Sequence, residues 1–128
     1  MGYLLDTHTF IWMMEDAPQL SKRVAAIILD ETESLWISPV SFWEMSIKRS
    51  LGKLNLKHTT QQFWKEAEKQ KIDFLSLSLS HFAAVEQLPF HHRDPFDRLL
   101  IAQAKTEELT LLTRDRHFQA YDVPVVWE

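Results

Sequence analysis

The sequence contains no cysteine, which excludes a disulfide framework, a thiolate nucleophile and a cysteine-ligated structural zinc. It has only two glycines, so neither a phosphate-cradling loop nor a dinucleotide fingerprint is present, and nucleotide cofactors are disfavoured. No apolar run approaches the roughly 20 residues of a membrane span. The opening Met1-Gly2-Tyr3-Leu4-Leu5-Asp6 also lacks the basic segment and long apolar stretch of an export signal. A soluble cytoplasmic protein is expected, with no membrane partner. There is no His-Glu-x-x-His zinc motif.

What is present is a chain of 128 residues, 45% hydrophobic and 25% charged, the size and composition of one globular domain spanning residues 1–128. A net charge of −4 argues mildly against a broad nucleic-acid-binding surface but says little about local potential. Lys48, Arg49, Lys53, Lys57, Arg93, Arg98, Arg114 and Arg116 all fall near the acidic residues discussed below and are candidates for a basic rim. Solvated helix faces explain each of them equally well. Five Trp, eight Phe and two Tyr are more than a small core obviously needs. Core packing is the favoured reading for each, and an exposed patch for a partner is the other. Phe10, Trp12, Met13, Trp43 and Ile47 are the candidates for such a groove, of the kind that takes an amphipathic helix.

Short apolar runs alternate with helical periodicity. Gly2 to Leu5 reads as a buried strand, Thr7 to Met14 as a helix, and Ser21 as the N-cap of a helix through Leu29. Ser34 to Ser38 is the second strand. Ser41-Phe42-Trp43-Glu44 matches a capping box opening a helix to Leu51, which Gly52 terminates. A helix over 60–71 precedes a strand over 72–77, a short helix follows over 80–87, and His91-His92-Arg93 is loop. Asp94-Pro95 is a strong helix start, with aspartate as cap and proline at the first position. That helix runs to Glu107, a strand follows over 109–113, a turn or short helix over 115–120, and a last strand over 123–127. Alternation of this kind implies an α/β fold with a parallel sheet covered on both faces.

Four carboxylates stand out in that frame. Asp6 ends the first strand, Asp115 follows the fourth, and Glu44 and Asp97 are expected in the first turns of their helices. Ligand sites in open α/β sheets lie beyond the carboxyl ends of the strands, so all four are expected on one rim. Each has a structural explanation when taken singly, as a helix cap, a favoured charge at a helix N-terminus, or a turn residue. Together they are costly: two like charges about 4 Å apart repel by roughly 4 kcal/mol at an effective dielectric of about 20. A bound divalent cation or strongly raised pKa values are therefore expected. Oxygen donors without cysteine favour Mg²⁺ or Mn²⁺. Asp94 is read as a cap, His91 and His92 as solvated, and His8 and His117 as rim neighbours without an assigned role.

The segments Leu4-Leu5-Asp6-Thr7-His8, Trp43-Glu44-Met45-Ser46-Ile47-Lys48 with Leu51-Gly52-Lys53-Leu54, Asp94-Pro95-Phe96-Asp97-Arg98-Leu99-Leu100-Ile101-Ala102-Gln103-Ala104, and Leu112-Thr113-Arg114-Asp115 with Phe118, Tyr121 and Trp127 resemble the PIN domain. The likeness is specifically to the VapC-like toxins of type II toxin–antitoxin modules, and it spans nearly the whole chain. It implies a three-layer α/β/α domain with a central parallel sheet that cleaves RNA with Mg²⁺ or Mn²⁺. It also implies that Asp6, Glu44, Asp97 and Asp115 are the catalytic, metal-binding quartet and that Thr113 is the small hydroxyl residue beside the last aspartate. Members commonly form homodimers and are inhibited by an antitoxin whose tail covers the active site.

The expected mechanism seats the metal chiefly on Asp6 and Asp97, with Asp115 and Glu44 completing the set directly or through water. Trp12 or Trp43 would be available to stack on a base. Two competing functions use the same residues. A metal-dependent phosphatase is disfavoured because Asp6-Thr7-His8 lacks the second aspartate of an Asp-x-Asp nucleophile motif. A noncatalytic interaction module would keep the fold and the aromatic surface while its carboxylates served other ends.

Overall fold

The computed structural model describes residues 2–128. The elements run β1 (Gly2–Leu5), α1 (Thr7–Met14), α2 (Lys22–Leu29), β2 (Ser34–Ile37), α3 (Pro39–Ser50), α4 (Thr60–Lys69), β3 (Ile72–Phe74), α5 (Leu79–Gln87), α6 (Pro95–Glu107), β4 (Thr110–Leu112), a 3-10 turn (Arg116–Ala120) and β5 (Val125–Val126). The strands form one sheet in the order β3-β2-β1-β4-β5, and every pair is parallel. The fold is the α/β class read from the sequence.

The doublets Leu4-Leu5 and Leu111-Leu112 explain why β1 and β4 take the centre. All four side chains are fully buried. Leu4 and Leu111 enter the core beneath α5, α6 and the 3-10 turn, while Leu5 and Leu112 enter the core beneath α1 to α4. Successive strand residues point to opposite faces, so two adjacent leucines stabilise both layers at once, each by about 2 kcal/mol. Gly2 lets β1 approach its neighbours closely: an added Cβ would lie 2.6 Å from Leu109 Cδ2 and 3.2 Å from Trp36 Nε1, so the Leu109 side chain would have to shift.

Phe10, a candidate for an exposed groove, belongs to the core instead. It is fully buried, with ring centroids 5.4 Å from Phe42 and 6.1 Å from Phe63. Trp12 and Met13 pack against the same core. Trp43 is 56% exposed and lies edge-on to Phe96.

Several boundaries shift from those expected. The α3 helix starts at Pro39 with Ser38 as its cap, accepting from Val40 N at 3.2 Å. Proline fits the first helical position, where its missing donor costs nothing, so Glu44 falls in the second turn and the expected capping box at Ser41 does not form. At the other end Gly52, at φ 70°, closes a Schellman motif, with Gly52 N bonded to Arg49 O and Lys53 N to Lys48 O. Strand β3 stops at Phe74 because β2 ends at Ile37, whose carbonyl takes one last bond from Leu75 N. Strand β5 shrinks to two residues because Val123 N turns back to Tyr121 O and Pro124 has no donor.

Asp94 caps α6 as expected, its Oδ1 accepting from Phe96 N at 2.8 Å and Asp97 N at 3.1 Å. Asp94→Ala is expected to cost about 1 kcal/mol of stability, and Asp94→Ser a few tenths. Urea denaturation of the two variants measures this. Equal losses would mean that the carboxylate does something a hydroxyl cap does not.

Candidate active site

The strand order places the topological switch at the centre of the sheet, where β1 is flanked by β2 and β4. The chain leaves the carboxyl ends of those three strands through Asp6, the Ser38 cap of α3, and Thr113-Arg114-Asp115. Residues far apart in sequence therefore converge by topology alone. They line a cleft of about 470 Å³ formed by Asp6, His8, Trp12, Glu44, Lys48, His92, Asp94, Asp97, Arg114, Asp115 and His117. All four carboxylates of the expected quartet are among them.

Asp6 and Glu44 are each held by one neighbour from the same stretch of chain and one from a distant element. Asp6 is buried; its Oδ1 accepts from Thr9 N at 2.8 Å, and its Oδ2 from Thr113 Oγ1 at 2.5 Å. The same Thr113 hydroxyl accepts from Asp115 N at 3.1 Å, so one side chain ties the β1 and β4 exits together. Glu44 is also buried; its Oε1 accepts from Thr7 Oγ1 at 2.6 Å, and its Oε2 pairs with Lys48 Nζ one turn along α3. Asp97 sits in the first turn of α6. Asp115 caps the 3-10 turn, accepting from His117 N at 2.9 Å.

The electrostatics follow from this crowding. Burial, then the charges of Asp94, Glu44, Asp6 and Asp115, push the Asp97 carboxyl up to about 8. Burial also raises Asp6, against the hydrogen bonds from Thr113 and Thr9. Asp115 is partly desolvated, yet the His117 hydrogen bonds and the two nearby imidazoles outweigh that and hold it below the usual carboxylate range. Lys48 is likewise desolvated, but Glu44, Asp94 and Asp97 keep its pKa above the ordinary lysine value.

Two groups of donor atoms, each within 4.8 Å of one another, overlap at Asp97: Glu44 with Asp94 and Asp97, and His92 with Asp97 and Asp115. Asp6 belongs to neither group, although each of its oxygens keeps a further acceptor position. A set of carboxylates and one imidazole, with a central carboxyl driven toward neutrality for want of positive charge, fits a small divalent cation.

His92 is the residue that sequence reasoning missed. Read as solvated, it instead lies in the cleft with Nε2 2.8 Å from Asp97 Oδ2 and 3.7 Å from Asp115 Oδ2. Its ring stacks on His117 at 5.0 Å and 18°. The spacing of five residues from Asp97 carried no helical or strand signal, because a loop sets it. Only His91 behaves as a surface residue, with its ring edge-on to Tyr121. The expected basic rim also contracts. Lys48 and Arg114 line the cleft, whereas Arg98 is buried beneath it.

Residues 3–124 match the family model of the PIN domain. The chain belongs to that family. PIN domains are generally nucleases and typically use divalent metals. No curated protein matches the chain, but solved structures do. A chain of VapBC2 from Rickettsia felis bound to a DNA fragment from their promoter is 18% identical over 100% of both chains, with a TM-score of 0.75. A chain of a toxin–antitoxin complex from Klebsiella pneumoniae is 17% identical over 97% of this chain and 95% of that one, with a TM-score of 0.65. A chain of FitAB bound to an IR36 DNA fragment is 25% identical over 97% and 93%, also at 0.65. This PIN domain has the three-layer architecture that the resemblance implied.

Proposed function

We propose that this PIN domain is a divalent-metal-dependent endoribonuclease and the toxin member of a toxin–antitoxin pair. The observation that carries the catalytic half is the convergence of Asp6, Glu44, Asp94, Asp97 and Asp115 on one cleft, with Asp97 common to both donor groups. Asp6, Glu44, Asp97 and Asp115 hold Mg²⁺ or Mn²⁺ in this reading. An ion bound there would shield phosphate charge and lower the pKa of water toward neutrality, the chemistry that phosphodiester hydrolysis needs.

The chain's own residues do the rest. Thr113 and Thr9 fix the Asp6 carboxylate, and Thr7 and Lys48 fix Glu44, so the acidic groups are oriented before substrate arrives. Arg114, its Cζ 5.9 Å from the Trp12 ring centroid, is placed to take backbone phosphate while Trp12 offers a face to a base. The half-exposed Trp43 is turned toward Phe96 and is the weaker stacking candidate. Lys48 and Arg114, the cationic residues that line the cleft, suit a single-stranded substrate gripped locally there.

The antitoxin half rests on similarity to chains solved within toxin–antitoxin assemblies. A homodimer and a cytoplasmic location belong to the same reading. The test is cleavage of a single-stranded RNA with Mn²⁺ or Mg²⁺ against EDTA, for the unmodified protein and for Asp6→Asn with matched thermal melts. Cleavage is expected only in the unmodified protein with metal. Equal cleavage in EDTA, or by a folded Asp6→Asn variant, would remove the assigned centre. Co-expression with the product of the adjacent reading frame tests the partner, which is expected to co-elute and suppress cleavage.

A further inference from the structure

The loop that carries His92 is anchored far more firmly than a solvated histidine requires. Buried Arg98 donates to Val85 O and Leu88 O at 3.2 Å each, to Pro89 O at 2.9 Å and to His92 O at 3.5 Å. Two of those carbonyls lie at the C-terminal end of α5, where positive charge is favoured, and no carboxylate pairs with the guanidinium among the described residues. On the exposed side the Phe90 ring lies 4.1 Å from Arg98 Cζ. Tyr121 Oη accepts from His92 N at 2.9 Å and donates to Pro89 O at 2.8 Å. Phe118 and His117 then flank the imidazole. Backbone and ring are both held, and the one nitrogen they aim into the cleft stands between two carboxylates from different elements.

We propose that His92 is a ligand of the catalytic cation, its Nε2 joining Asp97 and Asp115, and that it makes the centre prefer first-row transition ions such as Mn²⁺ over Mg²⁺. The inference rests on the metal-dependent reading above and adds to it a nitrogen donor and a metal preference. Adjacent ligand atoms around an ion with bonds of about 2.1 Å are about 3 Å apart. The distances of 2.8 Å and 3.7 Å from Nε2 to the two aspartate oxygens bracket that spacing. Mn²⁺ shares the preference of Mg²⁺ for oxygen donors, but as a first-row transition ion it accepts an imidazole nitrogen more readily, whereas Mg²⁺ is the harder ion and dehydrates reluctantly. The alternative role is a hydrogen-bond donor that only orients Asp97 and never touches the ion.

Pulsed electron paramagnetic resonance on the full chain, stripped with EDTA and loaded with one equivalent of Mn²⁺, separates the two roles. The unmodified protein is expected to show coupling to a directly bound imidazole nitrogen. The coupling should vanish in His92→Gln and persist in His117→Gln. Calorimetry should show Mn²⁺ affinity falling at least about tenfold in His92→Gln, with Mg²⁺ affinity moving less than about threefold. Mn²⁺ bound without nitrogen coupling in the unmodified protein, or coupling that survives in His92→Gln, overturns the assignment and leaves the metal-dependent reading standing. No Mn²⁺ binding at all overturns both. His92→Asn is the second variant should His92→Gln fail to fold, and the spectrum of the unmodified protein depends on neither.

Discussion

Asp97→Asn is expected to reduce RNA cleavage at least about a hundredfold and, in protein stripped of divalent cations, to raise the melting temperature at pH 8. The two effects have one cause. Asp97 is the carboxylate shared by both donor groups, and four other carboxylates raise its pKa further after burial has done so. An amide of nearly the same volume removes the central anionic ligand and, with it, the repulsion that the empty cluster otherwise imposes on the fold. A variant merely damaged in packing would lose activity and stability together. Cleavage assays beside calorimetric melts in EDTA distinguish these outcomes, and an active Asp97→Asn protein would mean that the chemistry lies elsewhere.

Stability of the metal-free protein should fall as pH rises from about 4 to 8, and divalent metal should restore it most at the upper end. The sign comes from Asp97. Its carboxyl ionises near the model-peptide value of 3.8 when unfolded and near 8 when folded, so between those limits the folded state binds more protons. Stability then declines with pH and levels off above about 8. Asp6 is raised as well and acts in the same direction. Asp115, lowered, changes stability only below its ordinary range, and Lys48, raised, only at strongly alkaline pH.

Each tenfold change in proton affinity is worth about 1.4 kcal/mol, so the effect of Asp97 is on the order of several kcal/mol. For a domain of this size a fall of roughly 10 °C or more between pH 5 and 8 is expected in EDTA. Mn²⁺ or Mg²⁺ at a hundred times its dissociation constant returns about 2.7 kcal/mol. Melts that are flat with pH and indifferent to both ions would contradict the crowding seen in the cleft.

The carboxylate site was legible in the sequence because its members sit where secondary structure changes type. Asp6 ends an apolar run too short for a helix, Asp115 follows another, and Asp94-Pro95 announces a helix start that puts Asp97 in its first turn. Those signals are local, so they survive being read without the fold. Glu44 is legible by residue type and approximate place but not by turn, because Pro39 opens α3 and the local pattern starts that helix at Ser41.

The places of His92 and Arg98 were decided by tertiary structure. His92 reaches Asp97 through a loop held by Arg98 and Tyr121, and such a path has no periodicity to read. Arg98 looks like any helix-surface arginine until α5 is packed against α6, which brings its guanidinium onto the carbonyls of Val85 and Leu88. Local pattern determined which segments are helical or extended, though not every cap or boundary, and hence the acidic rim of a parallel sheet. Which neutral and basic side chains enter that rim depends on loops and helix packing, where contacts between distant residues outweigh any preference written along the chain.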